Sequence, residues 1–282
     1  MIKRTALVFA VEMQKIIFIL LCTIALVTPA FADTNEDVTE VLTDTGVPTS
    51  DQDEPSGFHG ILGGALFSTH KVIGDGGLVI VALPLVVLTY KDLAYWTLGG
   101  GGVWLLGNDD RSLRFGAGMR FQGGWHPGED TELAGMEQRK GSIDGYLNGK
   151  WRTSLATIGA HYYHDIGHVS GGDSASLRLS HIFRVTDDLR LTPSIGAIWQ
   201  NSERVGYYYG VKPGEATPLR PAYNGSDAIN LNAGLAGSYR LPHTWSLLGG
   251  VFMTRFGDGI VDSPIVTRRF STVVYGGAGW RF

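Results

Sequence analysis

Alternation of apolar with small or polar residues, sustained over about ten to thirteen positions and repeated along the chain, limits what this sequence can fold into. Between Arg111 and Gln122 the apolar residues are Leu113, Phe115, Ala117, Met119 and Phe121; Ser112, Arg114, Gly116, Gly118, Arg120 and Gln122 alternate with them. A period of two puts one set on each face of a strand, whereas helical faces repeat near 3.6 residues. The same period governs 142–152, 176–186, 188–200, 228–240 and 271–282. Forty glycines in 282 residues reinforce the point, because glycine weakens helices.

Sandwich strands also alternate, so strand length and the front of the chain decide between a sandwich and a membrane barrel. Strands of this length exceed the usual five or six residues of sandwiches and match the roughly 9 to 11 tilted residues that cross a bilayer. Residues 13–32 read as a secretory leader. Lys15 supplies the positive start, 16–27 are almost wholly apolar, and Ala30, Phe31 and Ala32 form a small-x-small cleavage pattern with processing after Ala32. Translation is expected to begin at Met13. The leader core is too short to span a membrane, and the longest later apolar run, 78–88, has eleven residues and contains Pro84. Residues 33–57 carry eight acidic and no basic residues and read as a disordered acidic periplasmic segment. The body, 58–282, holds 20 Lys and Arg against 18 Asp and Glu, a net of +2. That balance supplies no basic field for nucleic acid, and the single cysteine, Cys22, falls in the leader.

The expected fold is therefore all-β, a transmembrane antiparallel barrel with apolar side chains facing lipid and polar ones facing the lumen. Arg114, Arg120, Arg152, Arg178 and Arg184 are the lumen candidates. Short connectors such as 91–92, 187 and 241–242 alternate with long ones at 123–140, 201–227 and 257–269, as periplasmic turns alternate with external loops. Tyr90, Tyr95, Trp96, Trp125, Trp151, Trp199, Trp245 and Trp280 sit near strand ends, where interfacial girdles belong. The final strand closes on Trp280 and Phe282, a pattern that resembles the signal read by the barrel-assembly machinery. Eleven segments alternate, yet bacterial single-chain barrels have an even number. About twelve strands are expected, ten being the alternative, with the missing one near 99–102 or 131–139.

Two strings and their spacing resemble the MipA/OmpV family of outer-membrane proteins. Tyr207, Tyr208, Tyr209, Gly210 and Val211 follow a long strand; Thr254, Arg255 and Phe256 precede Asp262, Ser263, Pro264, Ile265 and Val266. The resemblance covers 58–282 in strand order and omits the acidic segment. It implies an outer-membrane barrel surrounded by outer-membrane lipids. It also implies a scaffold joining a murein hydrolase of the lytic-transglycosylase type to a murein synthase, and it links other members to adhesion. It brings no catalytic residues. Read physically, both strings look architectural: Gly210 offers backbone freedom, the tyrosines suit a membrane rim, Asp262 to Pro264 suit a turn, and Arg255 stands within reach of Asp262.

Enzyme signals are weak. His161, His164, Asp165 and His168 form the richest polar cluster, but no helical i, i+4 pair enforces metal geometry, and a polar strand end is the simpler reading. His181 beside Ser180 is a poor catalytic pair. The glycines at 99–102 lack the Lys-Ser/Thr of a phosphate loop. The chain is read as a non-enzyme with no cofactor or metal. Scaffold, arginine-lined channel or receptor, and adhesin are the readings it leaves open.

Overall fold

The computed structural model describes residues 57–91, 93–128 and 130–282. The leader with Met13 and Ala32, and the acidic segment up to residue 56, lie outside them. The strands are β1 (Phe58–His70), β2 (Leu78–Tyr90), β3 (Ala94–Thr97), β4 (Gly100–Gly107), β5 (Leu113–Gln122), β6 (Ser142–Arg152), β7 (Thr157–Asp165), β8 (Asp173–Ser180), β9 (Phe183–Arg184), β10 (Leu189–Gln200), β11 (Ala228–Arg240), β12 (Trp245–Arg255) and β13 (Phe270–Arg281). Neighbours pair antiparallel, and β13 returns to β1 with Ile61 opposite Arg281 and Ser68 opposite Val274, so the sheet closes on itself. Closure answers the lack of water in a bilayer, where open sheet edges leave backbone groups unbonded.

β8 and β9 both pair with β10 and make one wall strand, broken at His181 and Ile182, so the wall has twelve strands. The strand that alternation alone could not count comes from 93–106. This segment turns back at Leu98 and Gly99 into the hairpin β3–β4, with Thr97 opposite Gly100. A Cβ on Gly101 would collide with the Trp96 ring, so the glycine run lets the two short strands press together. Residues 131–139 are not a strand: a single 3-10 turn, Thr131–Leu133, sits there within a long loop.

The outer face carries Leu62, Leu66, Phe115, Met119, Leu147, Leu177, Ile195, Leu231, Val251 and Val274, all exposed, as a lipid-facing belt requires. Trp151, Trp245, Trp280, Phe270 and Phe282 are exposed at strand ends. Two expected girdle residues are not there. Tyr95 bonds Tyr146, OH to OH at 2.9 Å, and Trp125 is buried among the external loops.

The interior has two halves. Ile61, Ala65, Phe67, Leu83, Leu85, Val87, Leu248, Phe252, Val273 and Tyr275 make an apolar filling on the side of β1, β2, β12 and β13. This explains why β2 reads as a nearly unbroken apolar run: one of its faces meets lipid and the other meets this filling. The opposite half, from β5 to β10, is polar. At one end of the barrel the connectors are short and the start of β1 meets the end of the last strand, Gly60 N donating to Phe282 O at 3.2 Å. At the other end the long loops gather.

Closure depends on a close approach at Gly63, where an added Cβ would strike the Ala278 carbonyl of β13. Gly63→Val is expected to cut the yield of folded barrel at the β1–β13 seam, read as loss of the compact, heat-modifiable band on unheated gels. Normal yield would contradict the register.

Candidate functional site: lumen network and external cap

Arg120 on β5 faces inward, and its Nε and Nη2 donate to Asp144 Oδ2 on the adjacent β6 at 3.0 and 2.9 Å. Its guanidinium lies 3.4 Å from the centroid of Tyr163 on β7. The third partner comes from outside the wall. Helix α1 (Ser202–Tyr209), in the loop between β10 and β11, is capped by Asn201, whose side chain accepts from Arg204 N at 3.0 Å. That cap aims Arg204 down the barrel, where Nη2 donates to Asp144 Oδ2 at 2.8 Å and to Gln122 Oε1 at 2.5 Å. Asp144 has no exposed surface, and Arg120 and Arg204 are buried with it. Two guanidinium groups on one carboxylate form a buried charge cluster that ties wall to loop and stands across the polar half of the lumen.

The other lumen candidates differ. Arg178 is buried, with Nη1 donating to Ser194 Oγ at 3.3 Å, and Arg114 stacks over the Trp104 ring at 4.5 Å. Arg152 and Arg184 are exposed near the short-turn end. Glu203, the neighbour of Arg204, is exposed and accepts from Asn201 Nδ2 at 3.2 Å. Below the cluster, His161 stacks on Tyr163 at 5.5 Å, while the exposed His164 meets Asp173 at 2.7 Å. Asp165 anchors the β7–β8 loop, accepting from the amides of Val169 and Gly171 at 2.8 and 2.9 Å and from Ser142 Oγ. His181 packs edge-on against Phe183 at 4.5 Å, at the break in the wall strand.

Above the lumen, loops 123–141, 201–227 and 256–269 and the β1–β2 loop pack into a cap. Val205, Tyr208, Tyr209, Phe256 and Ile260 form one buried cluster; Trp125, Leu133, Met136, Val211 and Ile265 form another. The expected rim tyrosines are therefore helical and internal, because their apolar bodies fill the cap. Trp125 Nε1 donates to Tyr208 O at 2.8 Å, and Ser263 Oγ donates to Tyr209 O at 2.5 Å. The second of these bonds joins the two strings that alternation could not explain. Gly210 has an ordinary φ of −75°, so its backbone freedom is not what is used. It is small because a Cβ would strike Gly206 O. Asp262 caps a short helix, α2 (Asp258–Val261), and among the described residues of this loop Arg269 pairs with Asp258 at 2.9 Å and Arg255 does not pair with Asp262.

The centre of the cap is an ion pair that nothing in the sequence pattern marked. Arg139 places all five donors: Nε on Tyr207 O, Nη1 on Glu137 O and Glu215 Oε1, Nη2 on Gly210 O and Glu215 Oε2, at 2.6 to 3.2 Å. Glu215 also accepts from the amides of Glu137 and Lys212 at 2.9 and 3.0 Å. Burial pushes the Glu215 carboxyl up, but the bond from Arg139 and the two amides outweigh it and hold it at about 2, below its ordinary 4.5. A depressed carboxylate stabilises the fold above its unfolded pKa, and that contribution fades as pH falls from about 4.5 to about 2. Amides of 123–141 and 201–227 are therefore expected to stay protected from exchange at neutral pH and to lose protection through that acid window, after correction for intrinsic rates. Unchanged protection at pH ~3 would contradict this linkage.

Comparison with known proteins now decides the lineage. The family described as MltA-interacting protein MipA matches residues 62–282. The chain belongs to the MipA family. This MipA-family barrel is 26% identical over 216 residues to the MltA-interacting protein of Escherichia coli (strain K12), covering 71% of this chain and 81% of that relative. It is 32% identical over 138 residues to outer membrane protein OmpV of Vibrio cholerae, and 31% over 136 residues to Omp26La of Vibrio anguillarum. Each of these two matches covers 48% of this chain, and the chain spans about half the length of each relative, 52%. Among solved structures it is similar to the translocator domain of autotransporter NalP from Neisseria meningitidis, with TM-score 0.46 and 12% identity over 90% of this chain and 96% of that one. Fold and family together make this MipA-family chain an outer-membrane β-barrel.

Proposed function

We propose that the protein is an anchoring barrel of the outer membrane whose periplasmic rim holds murein-remodelling enzymes, a hydrolase of the lytic-transglycosylase type and a murein synthase. The observation that carries this reading is the obstruction of the interior. One half is filled by apolar side chains, the other is crossed by Arg120, Asp144 and Arg204, and a bonded cap covers the external end. A body built this way serves attachment better than passage. The relative named MltA-interacting protein supports the partner class. The rim offers Leu93 and Leu155 as exposed apolar side chains in short turns, and β1 begins at this rim; in this reading the acidic segment 33–57 docks there too. That segment is a second docking element in this reading. The barrel-assembly machinery reads Trp280 and Phe282, and outer-membrane lipids surround the apolar belt.

A photo-crosslinking residue at Leu93 or Leu155 tests the contact in living cells. Adducts with a murein hydrolase or synthase are expected from these rim positions and not from Leu219, an exposed residue of the external cap. Adducts from Leu219 alone, or none containing a murein enzyme, would sink the reading. Deleting 33–57 is expected to reduce the rim adducts; undiminished adducts would remove the segment from the interface.

A further inference from the structure

Among the described residues, the ladder between β2 and its second neighbour is short. β2 runs for thirteen residues, yet its ladder with β3 holds only Leu88, Thr89 and Tyr90, opposite Trp96, Tyr95 and Ala94. From Leu78 to Val87, the described residues pair it with β1 alone. The neighbouring hairpin turns back at Leu98 and Gly99, and β5 ends at Gln122, just above the hairpin tip, where Gly100 faces Arg120. Bonds from Lys91 N to Gly57 O and from Lys71 N to Gly77 O bracket the β1–β2 ladder. Antiparallel alternation between them turns the backbone groups of the odd-numbered β2 residues toward β1 and those of Ile80, Ala82 and Pro84 toward the gap. Pro84 has no N–H to leave unbonded, which suits an edge. Leu78 to Pro84 make roughly 20 Å of such edge.

Asp75 N donates to Asp130 Oδ2 at 2.9 Å, so the β1–β2 loop and loop 123–141 join above the gap and make it a framed window. The hairpin tip at Leu98, which bounds the window from below, also lines a cleft of about 550 Å³, whose other walls include Phe121, Trp125 and Val169 with the polar side chains of Gln122, Gln138 and Ser142. No Asp, Glu, Lys or Arg is among its described lining residues. Unpaired backbone at membrane depth is tolerated only where it is buried in protein or lines a water-filled cavity.

We propose that this window is a lateral portal through which an uncharged single-chain amphiphile from the surrounding leaflet enters the cleft. The apolar side chains take the tail and the Gln138 amide takes a hydroxyl or amide head within the cleft, while the β2 edge borders the way in. A charged head finds no counter-charge in the lining, and burying it unpaired is costly. The proposal is independent of the scaffold reading.

The test uses the full mature protein in phospholipid vesicles, with a dibrominated monoacylglycerol mixed into the lipid as quencher. The Trp125 contribution is the difference between the native protein and Trp125→Phe. Saturable quenching of Trp125 is expected, relieved by unbrominated monoacylglycerol. Val169→Glu, and separately Leu98→Glu, are expected to weaken it by about tenfold or more. The heat-modifiable gel shift confirms folding of each variant, and competition by the unbrominated lipid decides the matter in the native protein if both fail to fold. Absence of saturable quenching overturns the proposal. Equal quenching by a brominated fatty-acid anion overturns the uncharged head. Quenching only by a short-chain amphiphile delivered from water overturns the lateral route.

Discussion

Asp144→Ala is expected to destabilise the barrel by about 3–5 kcal/mol, because it removes one carboxylate and strands two guanidinium groups inside the wall. Arg120 and Arg204 both lean on Asp144 Oδ2, and all three side chains are buried. Their desolvation has already been incurred by folding, and the carboxylate is what offsets it. Asp144→Asn separates charge from shape: it keeps an acceptor for the arginines but loses the ion pairs, so it should fall between the native protein and the alanine variant. The effect is read from denaturant unfolding of the protein in vesicles, with loss of the heat-modifiable band as a second probe. The triple variant Arg120→Met, Asp144→Leu, Arg204→Met should recover much of the loss, because apolar replacement of a complete buried cluster is often neutral or better. A loss below about 1 kcal/mol in Asp144→Ala would mean that the cluster is solvated and does not hold loop to wall.

Arg139→Ala is expected to act on the cap and spare the barrel. It leaves Glu215 buried beside two amides but without its cation, and it frees the carbonyls of Tyr207, Glu137 and Gly210 from their donors. The cost is of the same size, about 3–5 kcal/mol, but it falls on local opening of the loops. Tryptic cleavage after Lys212 or Arg220 should therefore accelerate by more than about a hundredfold, while the membrane-embedded strands remain intact. Unchanged cleavage would show that the buried tyrosines and Trp125 hold the cap without the ion pair.

The wall was legible because lipid on one side forces a period of two, and Leu113 through Gln122 obey it without exception. The twelfth strand was half-legible. Gly99 to Gly102 stand out, but a four-residue strand is too short to show a period, and its existence rests on Gly101 lying under the Trp96 ring. The nearly unbroken run 78–88 signalled apolar surroundings on both faces of β2, a sign that the lumen is not polar all round. The cap was illegible in detail. Its partners are brought together by loops with no repeat: Arg139 and Glu215 are 76 positions apart, Trp125 and the Tyr208 carbonyl 83. The tyrosine and Asp-Ser-Pro strings were conspicuous by resemblance, yet only the structure shows that they clasp each other through Ser263 and Tyr209.

In the proposed role the barrel is an anchoring body with a blocked interior. Single-channel recording of the purified protein in a planar bilayer decides it. The account predicts silence, with no stable, ion-selective steps at neutral pH. Stable conductance steps from the native protein would contradict it and make the arginine-lined half of the lumen a pathway for ions.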